Sequence, residues 1–276
     1  MTNSFEEYYQ PYLNFGYVRL IDVMGNDADI EMAARLSYGQ GTRPVSKTRH
    51  LIRYLWRHEH TSPFEMGELK FSLKMPIFVA RQFIRHRTAS VNEYSGRYSE
   101  MINEFYIPDE DRLRLQSASN KQGSEDSDDL EPYKKGAILD LIVNHTISSY
   151  DIYQQILGTG LTRELSRIIL PTSNFTEMVW KIDLKNFLHF VKLRMDEHAQ
   201  EEIRKLANLM YEMVKDFFPL TCEAFEDYTL NSIKLSRVER EIIQRCLNKE
   251  LLLDEIDASE LSNREKIELA AKVGDL

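Results

Sequence analysis

The sequence predicts an α+β fold, with a mixed or antiparallel sheet joined to a large helical part. Three observations carry that reading. Glu68 to Met75 alternates apolar and polar residues without a break. Tyr17 to Met24 is rich in Val, Ile and Tyr. Most of the chain beyond residue 132 carries apolar residues at helical spacing.

Taken in order, YVRLIDVM (Tyr17 to Met24) reads as a strand. Asn26 or Asp27 then caps a helix that runs through Glu31 to Leu36. Ser46 starts a second helix, with Leu51, Ile52, Leu55 and Trp56 as its apolar stripe. In Glu68 to Met75, Leu69, Phe71, Leu73 and Met75 share one face, and Glu68, Lys70, Ser72 and Lys74 share the other. That is the pattern of a half-buried strand. Pro76 suits a helix start, where its missing N–H costs nothing. Ile77, Phe78, Ala80 and Ile84 form the apolar face of that helix, and Arg81, Gln82 and Arg85 project from the rest. The chain then runs on as a loop, and EFYI (Glu104 to Ile107) reads as one more strand.

Residues 117 to 132 (SASNKQGSEDSDDLEP) are polar, acidic and rich in breakers, which marks a surface excursion. Helices are expected at Tyr133 to Gly158, from Thr162 to a stop at Pro171, and as one long amphipathic helix over Leu184 to Phe218. From Ser236 on, two more follow. The last opens on a capping box of Ser262 with Glu265 and ends at Gly274. The expected organisation is a single domain over 1–230 and a helical extension over 231–276.

At 276 residues the chain can bury a sizeable core, and its formal net charge is −9. General binders of nucleic acid or anionic membrane are usually basic, because counterion release drives their binding. Neither is expected here, so local positive charge should serve a discrete anion. The segment MTNSFEEYYQ lacks the basic and apolar regions of a signal peptide. No run reaches about 18 apolar residues, so nothing is expected to span a membrane. Cys222 and Cys246 allow neither a disulfide framework nor a CxxC metal pattern. A reducing, cytoplasmic setting is the expectation.

RHRTASVNEYSGRYSE (Arg85 to Glu100) stands out against the acidic chain. Arg81, Arg85, Arg87 and Arg97 face only Glu93 over residues 81–97. The guanidinium fork matches phosphate bidentately. Ser95 adds a hydroxyl, and Gly96 lets backbone approach a ligand. The set suits a phosphorylated small molecule or dinucleotide; a solvated charged loop is the plain alternative. Further on, Arg194 and His198 are four apart and continue the apolar stripe of Phe187 and Val191. Such a pair is either satisfied by partners or lines a cavity. HEHTSPFE (His58 to Glu65) has H-x-H spacing, but a zinc site needs three or four convergent ligands. Walker A, GxGxxG, GxSxG and HExxH patterns do not occur.

At these residues the chain resembles the flavin-dependent thymidylate synthases. The family signature is R-H-R, seven residues, then S, and Arg85-His86-Arg87 with Ser95 match it. Other landmarks follow in order: VMGND, AARLSYG, HTSPFE, PIFVARQ, EFYIP, RELSRIILP, LRMDEHAQEEIR and EAFEDY, over roughly residues 15 to 228. The resemblance implies reductive methylation of dUMP to dTMP. Methylenetetrahydrofolate would give the carbon and NADPH would reduce a bound FAD. A homotetramer with shared active sites is implied as well.

The resemblance also implies residue roles. Arg85, His86 and Arg87 would grip FAD, with Thr88 and Glu93 beside them. Ser37, His60, Ser62, Glu65 and His198 match other flavin- or folate-side positions. Gln82, Arg85, Glu93, Tyr94, Ser95, Gly96, Arg97 and Arg167 match dUMP positions. Arg194 would contact the uracil ring and favour its electron-rich form, so that C5 attacks without a protein thiol. Asp183 and His189 stand where the family carries asparagines that touch FAD, and Lys185 holds an arginine-or-lysine position. Asp183 would repel FAD phosphates, so it is expected at adenine or ribose. A non-catalytic nucleotide binder that kept the fold is the competing reading these two departures favour.

Overall fold

The computed structural model describes residues 8–37, 48–116, 130–246 and 249–274. Ser46, Tyr38 and Gly39 of AARLSYG, and most of the acidic excursion lie outside them. Two compact units divide the chain, Met1–Leu230 and Asn231–Leu276.

The first unit is built on a five-stranded antiparallel sheet in the order β1-β2-β3-β5-β4. Its strands are β1 (Tyr9–Tyr12), β2 (Gly16–Met24), β3 (Glu68–Pro76), β4 (Ser90–Glu93) and β5 (Phe175–Asp183). β3 is the central strand, and its alternation is the one visible in the sequence: Leu69, Phe71, Leu73 and Met75 are fully buried. Opposite them on β5, Ile182 pairs with Leu69, Trp180 with Phe71 and Met178 with Leu73. These cross-strand apolar pairs fix the register, because a one-residue slip would turn the whole set to solvent.

The helices of this unit are α1 (Asp27–Leu36), α2 (Thr48–Arg57), α3 (Ile77–Phe83), α4 (Pro132–Gly158), α5 (Arg163–Ser166), α6 (Leu184–Arg194), α7 (Glu201–Lys215) and α8 (Pro219–Phe225), and α3, α6 and α7 pack on the sheet. Phe187 of α6 stacks on Phe71 at 5.7 Å, and Phe83 of α3 lies 4.6 Å from Trp180. α7 adds Ile203, Leu206, Met210 and Val214, all fully buried.

Two family landmarks turn out to be fastenings. Asp27, in VMGND, is buried. It accepts from Leu220 N at 2.7 Å, Thr221 N at 3.1 Å and Thr221 Oγ1 at 2.7 Å, so it caps α8 from across the fold. Arg53 of α2 is buried and bonds Glu223 at 2.7 Å and Asp227 at 2.5 Å, which gives EAFEDY its job.

Several expectations differ from the structure. β5 lies in a stretch to which the sequence reading assigns no element, between two expected helices, and β4 in one read as loop. EFYI forms only a single bridge, Phe105 to Asn174. The long helix over 184–218 is two helices, because the chain leaves helix after Met195 and resumes at Glu201. There Asp196 Oδ1 accepts from His198 N at 2.9 Å, a local turn that competes with the helical ladder. The segment from Thr162 gives only one turn of helix, followed by a 3₁₀ turn over Arg167–Ile169. Leu170 then turns extended ahead of Pro171.

Among its described residues, the second unit holds three helices rather than two: α9 (Arg237–Cys246), α10 (Lys249–Ala258) and α11 (Asn263–Gly274). The capping box opens α11, with Ser262 N donating to Glu265 Oε2 at 3.0 Å and Glu265 N to Ser262 Oγ at 3.4 Å. Among the described residues, no helix is long and apolar enough to cross a membrane.

Candidate active site

Pro76 ends β3 and caps α3, which therefore starts at the sheet and ends by Ile84. Tight turns follow, Arg85 N to Gln82 O at 3.3 Å and His86 N to Phe83 O at 3.2 Å, so the RHR stretch stays against the end of α3. Its middle residue is anchored from α6. The His86 ring meets Phe190 edge-on, 4.9 Å between centroids at 89°. Arg194 Nε donates to His86 Nε2 at 3.0 Å. Phe190 and Arg194 are four apart on α6, so one helical face holds the imidazole by ring and cation together.

That geometry sets protonation. An Nε2 that accepts from a guanidinium carries no proton. Burial, then the positive Arg194, then His189 push His86 down to about 4, so the ring is neutral at pH 7. Arg194 is itself held below the usual arginine range, by burial first and by nearby Arg85 second. Arg85 and Arg87 are exposed, and among the described residues neither they nor Arg167 enters an ion pair. Among the described residues, Arg85 and Arg194 thus form a cation cluster that no ion pair compensates, with Arg87 two residues along the chain.

The back of the RHR stretch is an edge strand. β4 pairs with β5, and Tyr94 N to Glu177 O at 2.8 Å extends the pairing. Glu93 Oε1 accepts from the hydroxyl of buried Thr176 at 2.7 Å. The Tyr94 hydroxyl donates to the Glu100 carbonyl. Ser95 then closes a turn, accepting at its carbonyl from Ser99 N at 3.0 Å, and its Oγ accepts from Arg97 N at 3.3 Å. Gly96 is buried: a Cβ there would lie 2.6 Å from Met101 Sδ and 3.0 Å from Arg167 Cδ. Arg167, remote in sequence, is therefore pressed against this turn. Arg97 is tied to Glu164 at 2.8 Å. Ser95, Gly96, Arg97 and Arg167 thus come together at one turn.

Other expected residues lie elsewhere. Ser62 and Glu65 are exposed on a 3₁₀ turn, Ser62–Met66, that packs on α1 and α6. His60 is exposed, 5.8 Å from Tyr54, and Ser37 is exposed at the C-cap of α1. Gly67 O accepts from Leu184 N at 2.8 Å, which sets this turn at the start of α6, beside Asp183 and Lys185. His86 and Arg194 sit at the other end of α6, roughly 16 Å away for 11 helical residues. Thr88 is exposed after the RHR stretch, and His189 is exposed along α6 between the two ends.

Asp183 is the N-cap of α6. Its two oxygens accept from Asn186 N at 2.9 Å and Asn186 Nδ2 at 2.7 Å. Lys185 reaches Asn186 Oδ1 at 3.4 Å. His198 does not share a helical face with Arg194, because α6 has ended. It is exposed and bonds Asp196 Oδ1 at 2.9 Å. Among the described residues, no three His, Cys, Asp or Glu side chains converge on one point.

Sequence reasoning missed Phe190, Thr176, Glu164, Gln200 and Glu202. Gln82 donates to Gln200, and Gln200 donates to Glu202 at 2.8 Å. Only the break after Met195 makes the first contact possible, and the apolar periodicity did not show that break. Thr176 and Phe190 were legible in principle, as inward positions of a strand and of a helix.

Residues 19–220 match the family model described as thymidylate synthase complementing protein. A flavin-dependent thymidylate synthase from Wolbachia pipientis wMel is 48% identical over 238 residues, spanning 86% of this chain and 83% of that protein. Another from Dictyostelium discoideum is 50% identical over 237 residues, spanning 83% and 77%. Among solved structures, the UMP/dUMP methylase PolB from Streptomyces cacaoi bound with 5-Br dUMP superposes with a TM-score of 0.71 at 30% identity, covering 80% of this chain and 98% of that one. Motif order, fold and similarity over most of the length agree, and the chain belongs to the flavin-dependent thymidylate synthase family.

Proposed function

We propose that the protein methylates dUMP to dTMP, using FAD, NADPH and methylenetetrahydrofolate. The carrying observation is the uncompensated cation cluster: Arg85 beside Arg194, with Arg87 and Arg167 also outside any ion pair among the described residues. Dianionic phosphates supply the charge such a cluster lacks.

The residues fit both ligands. Arg85 and Arg87 offer guanidinium forks for the FAD diphosphate, and His86 fixes the loop between them through Phe190 and Arg194. Asp183 spends both oxygens on Asn186, so its carboxylate serves the helix and is turned from an anion. Its place as the N-cap of α6 gives the aspartate a structural role in that helix, apart from any contact with FAD. Ser95, Gly96, Arg97 and Arg167 form the turn for the nucleotide phosphate.

Bound FAD supplies the two-electron reduction that a methyl group requires. The chain's own part is electrostatic. Arg194 holds a fixed positive charge whose Nε–H is occupied by His86, which leaves its terminal N–H groups for a uracil carbonyl. A cation there favours negative charge on the ring and makes C5 the nucleophile. No protein thiol is needed. Cys222 is buried and its thiol is pushed up to about 12, chiefly by burial, so it stays protonated. A free buried cysteine also fits the cytoplasm.

A homotetramer with shared sites belongs to the same reading. The Ser62–Glu65 turn and the His86–Arg194 contact lie at opposite ends of α6, so neighbouring copies would complete each site. α4 offers the apolar surface for this, with Tyr133, Leu141, Ile147 and Ile152 exposed along it. Purified protein given dUMP, methylenetetrahydrofolate and NADPH should form dTMP and should stop when any one is omitted. Tight dUMP binding without NADPH oxidation would favour the non-catalytic alternative.

A further inference from the structure

Glu202 is a buried carboxylate in the first turn of α7, 3% exposed. Its Oε1 accepts from the Tyr106 hydroxyl at 3.0 Å and from Arg112 Nε at 2.9 Å. Its Oε2 accepts from Gln200 Nε2 at 2.8 Å. Tyr12 OH donates to its backbone carbonyl at 2.8 Å, which fixes the residue from β1 as well. Arg112 neutralises the charge, bridging Glu202 at 2.9 Å and Glu201 at 3.3 Å. Such a set is worth keeping buried only if every member is satisfied.

The direction of the hydrogen bonds is forced. An ionised carboxylate can only accept, so Gln200 must present its NH₂ to Glu202 and its Oε1 outward. That Oε1 accepts from the amide nitrogen of Gln82. With its NH₂ so engaged, Gln82 has its own Oε1 left over as an acceptor. A glutamine amide by itself turns either end outward with nearly the same shape. Here a buried charge two side chains away chooses the end. Gln82 sits in the last turn of α3 and its carbonyl accepts from Arg85 N at 3.3 Å, so the choice is made beside the cation cluster.

We propose that Glu202 is a positioning residue for nucleotide recognition: through Gln200 it fixes Gln82 with its carbonyl oxygen toward the ligand, as an acceptor for a donor on dUMP. This rests on the reading that Gln82 lines the dUMP site. dUMP has two such donors, the ring N3–H and the sugar 3′-hydroxyl. N3-methyl-dUMP removes the first and 2′,3′-dideoxyuridylate removes the second.

The test is dUMP affinity of the flavin-loaded full chain, measured by titration, with flavin content and thermal midpoint recorded for each variant. In Glu202→Gln, the new amide keeps its oxygen on Arg112 and Tyr106 and turns its NH₂ to Gln200. Both glutamines then flip, and Gln82 shows a donor to a donor. We expect the dUMP dissociation constant to rise about tenfold or more, the effect of one hydrogen bond replaced by a clash of donors. Gln200→Met frees Gln82 without reversing it, so a smaller rise of roughly two- to fourfold is expected. Gln200 is exposed, so this variant keeps the test decisive even where Glu202→Gln fails to load flavin. In both variants the preference of the wild type for dUMP over one of the two blocked analogues should shrink, which names the donor. Unchanged dUMP affinity in folded Gln200→Met overturns the relay, and so does an equal loss on dUMP and on both analogues. A wild-type protein that binds no dUMP overturns the functional reading along with it. Wild-type binding that neither variant alters overturns the relay alone.

Discussion

Arg194 Nε and His86 Nε2 meet at 3.0 Å, a hydrogen bond that exists only while the imidazole is neutral. The folded state therefore binds fewer protons than the unfolded chain between about 4, where folded His86 titrates, and the ordinary histidine value of 6.5. Stability from this group is fully present above 6.5 and is lost as pH falls toward 4. Thermal midpoints should drop across that window, and more steeply for the wild type than for His86→Gln, which keeps an acceptor but does not titrate there. Equal slopes for the two proteins would show that His86 does not carry the effect.

Arg194 and Arg85–Arg87 should separate by readout. Arg194→Ala is expected to lower kcat roughly a hundred- to a thousandfold with flavin retained, as for loss of one preorganised donor. Arg87→Ala should instead weaken FAD by about tenfold, the scale of one charge-assisted bond. Flavin retention after gel filtration, set beside steady-state rates, distinguishes them. Loss of FAD in Arg194→Ala with unchanged dUMP affinity would reverse the assignment.

Gly96→Ala tests the nucleotide turn. The added Cβ meets the ends of two side chains, Met101 and Arg167, rather than backbone. Both can move, so the protein should fold and hold flavin while Arg167 is displaced. The expected result is a KM for dUMP raised about tenfold with kcat changed much less. A lowered thermal midpoint with KM unchanged would make Gly96 a packing residue only.

Arg53→Ala should act on stability alone. It strips a buried cation from Glu223, Asp227 and the Tyr228 ring, which the guanidinium faces at 4.8 Å. About 2 kcal/mol of destabilisation is expected, the scale of lost charge-assisted hydrogen bonds, because the carboxylates left behind are partly exposed and Glu223 keeps Arg49. Chemical denaturation measures it, and per-flavin turnover of the folded fraction should stay near wild type.

Much of the frame was legible because it rests on period and punctuation. The alternation from Leu69 to Met75 gave β3, Asn26 gave the start of α1, and Ser262 with Glu265 gave that of α11. β5 carried an equally regular code, with Thr176, Met178, Trp180 and Ile182 inward and Glu177, Val179 and Lys181 outward. It was lost between helical neighbours. β4 had no code to read: all four of its residues are exposed, and only pairing with β5 makes it a strand. The break at 195–200 has neither Pro nor Gly, and the apolar spacing runs straight through it. What stops the helix is the Asp196 carboxylate on a backbone N–H, a contact that spacing does not encode. At the site, the arginines and Ser95 announced themselves by composition. Their partners did not, because Phe190 and Glu202 act by holding other residues and resemble ordinary core and helix-surface positions.

The central claim is that flavin electrons reduce the methyl group placed on dUMP. An anaerobic single turnover tests it most directly. Purified protein should be yellow or should become so with added FAD, and NADPH should bleach the visible flavin band. Addition of dUMP with methylenetetrahydrofolate should restore that band and yield dTMP in proportion to the flavin reoxidised, with Cys222→Ala behaving alike. A colourless preparation that takes up no FAD would contradict the account, as would a bleached flavin that dUMP and methylenetetrahydrofolate leave reduced.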